Sequence, residues 1–228
     1  MQMLSYLKYF IYLARNWDLT IARHIIVKEI AGEKKYGIRT TGADNLDSLE
    51  EKGVDIDHST IYMPASYDLL EDVFAKINIG TCSHLLDIGC GKGRALCVAA
   101  HFGVKKVSGI DFSKELCTAA TANLQCTQQT IKDLRFTIHH NDAFYFEIEN
   151  DVDCIFMFNP FDELIMSAVL ENIETSLEER PRQLTIVYFN PVEKHLFLDY
   201  GYREIYHESK LTYLDAMVLI KNPGRSRG

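Results

Sequence analysis

The residue types best suited to chemistry stand in a glycine-rich turn. The run His84–Ile88 has the composition of a buried strand, and Gly89, Gly91 and Gly93 follow it. Glycines at such a turn let the backbone bend sharply and come close to a ligand. In open α/β sheets a ligand binds beyond the carboxyl ends of the strands. The pattern therefore predicts a binding site made largely of backbone groups.

Three glycine-rich motifs compete for this turn. A dinucleotide fingerprint is G-x-G-x-x-G, but here the third glycine comes early and Arg94 occupies its position. A phosphate loop is G-x-x-x-x-G-K-[ST], but Gly93 replaces the hydroxyl residue that would bind magnesium. The third motif, D-x-G-x-G-x-G, matches Asp87–Gly93. This stretch resembles motif I of class I S-adenosylmethionine (SAM)-dependent methyltransferases, whose cofactor carries no phosphate and needs no lysine clamp.

An acidic residue follows the next strand-like run, Lys106–Ile110. A carboxylate about 20 residues beyond a glycine turn can accept hydrogen bonds from ribose hydroxyls. The resemblance implies this role for Asp111 and places Phe112 against the adenine face. The alternative for Asp111 is a helix cap before Lys114, although Ser113 could cap instead.

Asn141-Asp142-Ala143 follows the third strand-like run, Arg135–His139. In the resembling families an Asp and a small residue stand here. The resemblance therefore implies that Asp142 accepts a hydrogen bond from the adenine amino group and that the Ala143 amide meets the ring. The alternative is a polar loop. His139 and His140 point to opposite faces of a strand, so at most one faces the site, and neither is assigned a catalytic role.

A second motif, Asn159-Pro160-Phe161, follows the buried-strand run Cys154–Phe158. It resembles the [ND]-P-P-[YF] motif of amino-group methyltransferases, with Phe161 where the second proline would stand. The resemblance implies that the Asn159 side chain and the Pro160 carbonyl accept hydrogen bonds from the substrate nitrogen, with Phe161 beside it. Positioning of this kind can supply much of the rate. Two alternatives stay open: a strand end that starts a helix, and a different nucleophile.

The segment before the first strand predicts a helical extension. Apolar residues at three-to-four spacing predict one or two helices over residues 3–30, and residues 32–58 predict a long loop with a short helix near Leu46–Lys52. Tyr62-Met63-Pro64 resembles, more weakly, the Tyr-x-Pro of non-SET protein lysine methyltransferases, which use this stretch near the methionine end of SAM. The predicted division is an extension or lid over residues 1–60 and a methyltransferase domain over residues 61–228. A packing segment, a dimer interface and a membrane-surface helix are the alternatives for the extension.

The remaining chain predicts the elements that position these motifs. A helix starts at Ser66 and runs to Lys76, and after Gly80 strand-length apolar runs alternate with helical patterns. Such alternation predicts a parallel sheet with helices on both faces. The predicted helices are Arg94–Phe102, Lys114–Leu124 and Asp162–Glu179, and the later strands are Leu184–Phe189 and a hairpin of Tyr202–His207 and Leu214–Ile220. The resemblance implies an α/β fold with a seven-stranded, mostly parallel, Rossmann-like methyltransferase sheet.

Charge and cysteine content limit which partners and which cellular location are expected. The net charge is −8 over 228 residues, with no cluster of Lys and Arg, so a nucleic-acid partner is not favoured. Residues 3–17 are too short and too charged to span a bilayer, and no signal peptide is expected. The six cysteines form no Cys-x-x-Cys pair and have no companion His cluster, so no metal site is predicted. Reduced, buried thiols favour the cytoplasm.

These observations predict a SAM-dependent methyltransferase that acts on an amine nitrogen, with a protein lysine favoured and S-adenosylhomocysteine as product. The alternatives are a small-molecule methyltransferase and a SAM-binding regulatory protein without catalysis. The sequence leaves the acceptor and the oligomeric state open. The predicted catalytic residues are Asn159, Pro160 and Phe161. The predicted cofactor site comprises Tyr62, Asp87, Gly89, Cys90, Gly91, Gly93, Asp111, Phe112, Asn141, Asp142, Ala143 and Asn159.

Overall fold

The fold is an α/β sandwich around one seven-stranded sheet. The computed structural model describes residues 2–16, 19–41, 64–158, 161–210 and 214–223. The strands are β1 Leu85–Ile88, β2 Lys106–Asp111, β3 Arg135–His140, β4 Cys154–Phe158, β5 Leu184–Phe189, β6 Arg203–Lys210 and β7 Leu214–Lys221. The helices are α1 Gln2–Asn16, α2 Leu19–Tyr36, α3 Tyr67–Lys76, α4 Arg94–His101, α5 Lys114–Thr130, α6 Glu163–Glu179 and α7 Lys194–Asp199.

The strands follow the order β3-β2-β1-β4-β5-β7-β6. Strands β3, β2, β1, β4 and β5 are parallel, whereas β7 runs antiparallel to both β5 and β6. This confirms the mostly parallel sheet and the hairpin predicted from the sequence. The connections reverse direction between β1 and β4, and ligands of open α/β sheets bind at such a switch point. The glycine turn leaves β1 at this place.

The sheet is covered on both faces, as the alternating pattern predicts. One apolar cluster joins α3, α4 and α5 to the sheet through residues such as Phe74, Leu96 and Leu124. The other joins α6 and α7 through residues such as Leu170 and Phe197. All four residues of β1 are buried. The strand that leads into the glycine turn is therefore held from both sides, and the turn starts from a fixed point.

Helix α2 is longer than the sequence analysis predicts. The loop was expected from residue 32, but α2 continues through Gly32 to Tyr36. A Cβ atom on Gly32 would stand 2.3 Å from the ring of Tyr67, so the glycine permits close packing of α2 on α3 instead of ending the helix. The short helix expected at Leu46–Lys52 lies outside the described residues.

Two other helices differ from the expectation. Helix α5 ends at Thr130 rather than at Leu124, because Thr127 is buried against the core although the residues around it are polar. The short helix α7 was not predicted. It follows Pro191 after β5, and it buries the single side chain of Phe197, too little for a recognisable apolar period.

Candidate active site

The glycine turn adopts the left-handed backbone that its composition predicts. Gly89, Gly91 and Gly93 have φ angles of 78°, 52° and 77°. L-residues with a Cβ atom rarely adopt this region. At Gly93 a Cβ would also stand 3.2 Å from the Cβ of Ala120 on α5. Glycine therefore permits both the turn and the close approach of α5.

Cys90 faces the interior of the protein. A Cβ on Gly109 of β2 would lie 2.8 Å from the Cys90 Sγ, and Cys90 is 6% exposed. Burial, followed by the nearby carboxylates of Asp87 and Asp111, raises the pKa of the Cys90 thiol well above its usual value. The side chain packs against the sheet, so the turn presents backbone at this position.

Asp111 ties the end of β2 to the glycine turn. Its Oδ2 accepts a hydrogen bond of 2.8 Å from the Gly91 amide, and its Oδ1 accepts one of 2.9 Å from the Ser113 amide. Ser113 is the N-cap of α5 and accepts from the Leu116 amide. The cap expected as an alternative role for Asp111 is therefore supplied by Ser113, and the Asp111 carboxylate is directed to the turn.

Asp87 is a buried acid with a second carboxylate, that of Asp111, nearby. It is 2% exposed, and its Oδ1 has no hydrogen-bond partner among the described residues. Burial, and after it the negative charge of Asp111, raises the pKa of Asp87 well above its usual value. Two adjacent carboxylates thus lie beneath the turn, and burial also raises the pKa of Asp111.

The loop after β3 lies next to the end of β2. The Asn141 amide donates to the Asp111 carbonyl at 3.1 Å, and His140 bonds the Phe112 carbonyl through Nε2 at 3.0 Å. Asn141 and Asp142 are exposed, and the Asp142 Oδ1 accepts from the Phe144 amide. The structure thus brings both predicted adenosine-contacting segments together at one edge.

The two histidines of β3 separate as the strand alternation predicts. His139 packs on Phe146, with ring centroids 5.1 Å apart, and its Nε2 stands 3.7 Å from the Glu149 carboxylate. His140 instead contacts Phe112. His140 is the one that lies beside the ends of β2 and β3.

The predicted acceptor motif is only partly described. Asn159 and Pro160, like Tyr62, lie outside the described residues. Phe161 packs against the core beneath α6, and the Asp162 carboxylate caps α6 by accepting from the Ile165 amide at 3.1 Å.

Acidic residues and a histidine meet beyond β4 and β5. The His195 Nε2 stands 3.8 Å from a Glu163 carboxylate oxygen, and its Nδ1 stands 3.7 Å from a Glu193 carboxylate oxygen. Glu163 and His195 are exposed. The segments that follow β4 and β5 therefore carry two carboxylates at this edge of the sheet.

Comparison with known proteins finds a methyltransferase family that matches part of the chain. The profile of a family described as "Methyltransferase domain" matches residues 85–180, which run from β1 to the end of α6. The match covers less than half of the chain, and it supports the class I SAM-dependent methyltransferase family that the glycine turn resembles. The match begins at the strand that leads into the glycine turn. A search of the curated proteins finds no relative.

Solved methyltransferase structures share this fold. They include the O-methyltransferase domain of StiE, residues 961–1257 (TM-score 0.53, 14% identity, 71% of this chain and 76% of that one). An RNA methyltransferase from Salinibacter ruber with bound S-adenosylhomocysteine gives 0.51 and 15%, over 73% of this chain and 97% of that one. The ribosomal protein L11 methylase from Lactobacillus delbrueckii subsp. bulgaricus gives 0.50 and 15%, over 66% and 78%. At such identities the likeness establishes the fold, while the acceptors of these enzymes differ.

SAM, the methyl donor of this family, fits the residues at the glycine turn. SAM carries a sulfonium and an ammonium, and opposite charge favours ionised carboxylates. Asp87 has a buried oxygen without a partner in the described structure, next to Asp111 and to three glycines with positive φ. A cationic ligand that needs close backbone approach fits such a cradle.

One set of buried residues beside the glycine turn is not predicted by the sequence. Arg94 was noted only as a departure from the dinucleotide fingerprint. In the structure it is 3% exposed and forms an ion pair with Glu29 of α2, which is 2% exposed. The available hint was an arginine at the start of an otherwise apolar helix, but nothing local identifies a partner 65 residues away.

Membrane insertion of a helix is not indicated by the described part of the methyltransferase. Across residues 2–16, 19–41, 64–158, 161–210 and 214–223, no helix has both the length and the apolar character needed to cross a bilayer.

Proposed function

We propose that the protein transfers the SAM methyl group to an amine nitrogen, with a protein lysine as the acceptor. The observation that carries this proposal is the charge of the carboxyl edge at β4 and β5. Glu163 and Glu193 flank His195 there, and Lys194 is the neighbouring basic residue. An edge of this charge attracts a cationic acceptor in preference to an anionic one. The net charge of −8 acts in the same direction.

The proposed donor site is the cradle between β1, β2 and β3. The backbone of Gly89–Gly93 would face the methionine portion, with Cys90 contributing through its backbone because its thiol faces the core. Asp111 would bind the ribose and Phe112 the adenine face, while Asp142, Ala143 and Asn141 would surround the base. Asp87 would balance positive charge from below. SAM supplies an electrophilic methyl group on sulfur when it is bound there.

The chain's own contribution is to position the amine and to favour its neutral form, which arises when the ammonium loses its proton to solvent before burial. A free lysine amine is protonated at neutral pH, with a pKa near 10.4, and only its neutral form has the lone pair that attacks. Burial of the amine against Phe161 would favour the neutral form. Asn159 and Pro160 are proposed to accept hydrogen bonds from this nitrogen and to fix its direction of attack.

Labelled SAM and a cell lysate test the acceptor class. Label in protein bands that is recovered as methyl-lysine after acid hydrolysis supports the proposal. Label in small molecules alone would replace it with small-molecule methylation, and no transfer despite SAM binding would favour a regulatory role. The variant Asn159→Ala is expected to reduce transfer by a much larger factor than it reduces SAM affinity. Equal transfer by this variant would contradict the amine-positioning role.

The domain division and location are part of this proposal. Helix α2 packs on α3 and α4, in keeping with residues 1–60 as an extension of a domain that spans residues 61–228. All six cysteines are free thiols, and four of them are buried. Such thiols suit a reducing compartment, so the cytoplasm is the proposed location.

A further inference from the structure

A buried polar network joins the N-terminal helix α2 to the start of α4. The Arg94 Nη1 donates to the Glu29 Oε1 at 2.6 Å, and its Nη2 donates to the other oxygen of the same carboxylate. The Arg94 Nε donates to the Thr40 hydroxyl at 2.8 Å, and Nη1 also donates to the Ala65 carbonyl at 2.7 Å. The guanidinium lies over the Tyr67 ring, 4.0 Å from its centroid. Arg94 therefore connects α2 and the residues after it to the residues at the start of α3.

A second acid completes the network on the same helix. One oxygen of Glu33 accepts hydrogen bonds from the amides of Thr40 and Thr41, each at 2.6 Å. The Thr41 hydroxyl donates to Glu29 at 2.7 Å. The stretch after α2 is thus folded back and fixed on α2 by the two acids, with Glu29 itself fixed by Arg94.

The network ends directly at the glycine turn. Arg94 follows Gly93, whose left-handed backbone closes the turn, and it begins α4. Asn123 on α5 makes a second link, because its Nδ2 donates to the Lys92 carbonyl at 2.9 Å and to the Arg39 carbonyl at 3.1 Å. Its Oδ1 accepts from the Arg39 amide at 3.0 Å. Residues 39–41 are therefore connected to the turn from both sides.

Packing alone does not account for this choice of residues. Two charges that are 3% and 2% exposed lose their hydration, and an apolar pair of similar volume is often as stable or more stable. The ion pair instead fixes the relative positions of the groups that Arg94 binds. The planar guanidinium fixes several partners at once, and here those partners belong to α2, to the stretch after it and to the approach to α3.

We infer that Arg94 is a positioning residue for the donor site, and that docking of residues 29–41 and binding of SAM stabilise each other. The inference rests on the proposed placement of SAM at the glycine turn. Residues 39–41 hold the turn in its binding geometry through Arg94 and Asn123. By reciprocity, a ligand that binds this geometry also stabilises the docked stretch.

Hydrogen exchange of the unmodified protein tests the coupling directly. S-adenosylhomocysteine is added, and amide exchange is followed over the turn and over residues 38–41. The amides of Thr40 and Thr41 are the reporters, since both bond the Glu33 side chain. Slower exchange at Thr40 and Thr41 supports the inference. Protection confined to the turn and the ends of β2 and β3 would overturn it while leaving the donor site intact, and no protection anywhere would count against the donor site itself.

Paired variants separate coupling from general loss of stability. Glu29→Gln removes one charge of the buried pair, and Arg94→Lys keeps a charge but loses the fork. Both are expected to weaken S-adenosylhomocysteine binding roughly 5- to 150-fold, the usual range of coupling between sites. The control is Glu71→Gln. Glu71 of α3 accepts a hydrogen bond from Tyr36 and pairs with Lys35, both of which lie on α2 as Glu29 does, and these contacts do not involve Arg94.

The affinity of Glu71→Gln is expected to stay within about twofold of the unmodified protein, since surface pairs contribute little. Calorimetry is done at a temperature where circular dichroism shows every compared variant folded. Unchanged affinity in folded Arg94→Lys would refute the positioning role. Equal weakening by Glu71→Gln would reduce it to a general effect of loosening α2. Should Glu29→Gln not fold, Arg94→Lys and the exchange measurement decide the matter.

Discussion

The Asp111 carboxylate accepts a hydrogen bond of 2.8 Å from the Gly91 amide. This contact links the end of β2 to the middle of the glycine turn, and it orients a buried carboxylate where the proposed ribose would lie. Replacement by Asn keeps the shape and one acceptor but removes the charge. Asp111→Asn is therefore expected to weaken SAM binding by about 1.5–3 kcal/mol, the range for hydrogen bonds to charged groups.

Titration calorimetry with S-adenosylhomocysteine measures this change. Asp133→Asn is the matched control, because Asp133 is exposed and pairs with Lys105 far from the turn. An Asp111 variant that folds and binds like the control would remove Asp111 from the donor site.

The Asp87 carboxyl is expected to lower the stability of the ligand-free protein and to raise its affinity for SAM. Its pKa is raised by burial and by the charge of Asp111, so the folded state holds a proton that the unfolded state releases near its ordinary pKa of 3.8. Between these two pKa values the unfolded state binds fewer protons, and stability falls as the pH rises. Asp87→Asn should therefore stabilise the ligand-free protein at neutral pH, because the folded state no longer holds this buried carboxyl.

Thermal melts of both proteins from pH 4 upward check the sign. The gain of the Asn variant over the unmodified protein should grow with pH, whereas its affinity for SAM should fall because a countercharge is lost. A stability difference that does not depend on pH would mean that folding does not raise the pKa of Asp87.

The last glycine of the turn has two separable requirements. Gly93 has a φ of 77°, and an added Cβ would meet the Ala120 Cβ at 3.2 Å. Gly201 has a similar φ of 83° but open space around it. Gly201→Ala should cost about 1–2 kcal/mol from the left-handed backbone alone, and Gly93→Ala should cost more because α5 must also move.

Urea unfolding of the two variants measures the difference. The difference between their free energies of unfolding reports the contact between the turn and α5. Equal decreases in the two variants would show that α5 can move without a loss of stability.

Gly32 provides a test of why α2 continues past the predicted helix end. Alanine favours helix over glycine by about 1 kcal/mol, so a simple exposed helix position would gain stability. A Cβ on Gly32 would instead lie 2.3 Å from the ring of Tyr67, which is 2% exposed. Gly32→Ala is expected to lose about 1–3 kcal/mol through overpacking.

Chemical denaturation shows whether Gly32→Ala raises or lowers the free energy of unfolding. A more stable variant would show that Tyr67 can move aside and that the close packing of α2 on α3 is not required.

Local sequence patterns predicted most of the fold. Apolar runs of strand length, separated by helical patterns, located β1 to β7 to within a few residues, because strands covered on both faces are apolar throughout. The end of α5 was missed because Thr127 is polar yet buried. The short α7 was missed because one buried Phe197 does not make a period.

The donor site follows the same division. The sequence by itself determined the glycine turn and the polar residues at the ends of β2 and β3, since parallel strands deliver their carboxyl ends to one edge. Only the tertiary structure decided that the Asp87 Oδ1 has no hydrogen-bond partner among the described residues, that Cys90 faces the core and that Arg94 meets Glu29. These facts depend on contacts between residues far apart in the chain, and no local period encodes the direction in which α2 packs.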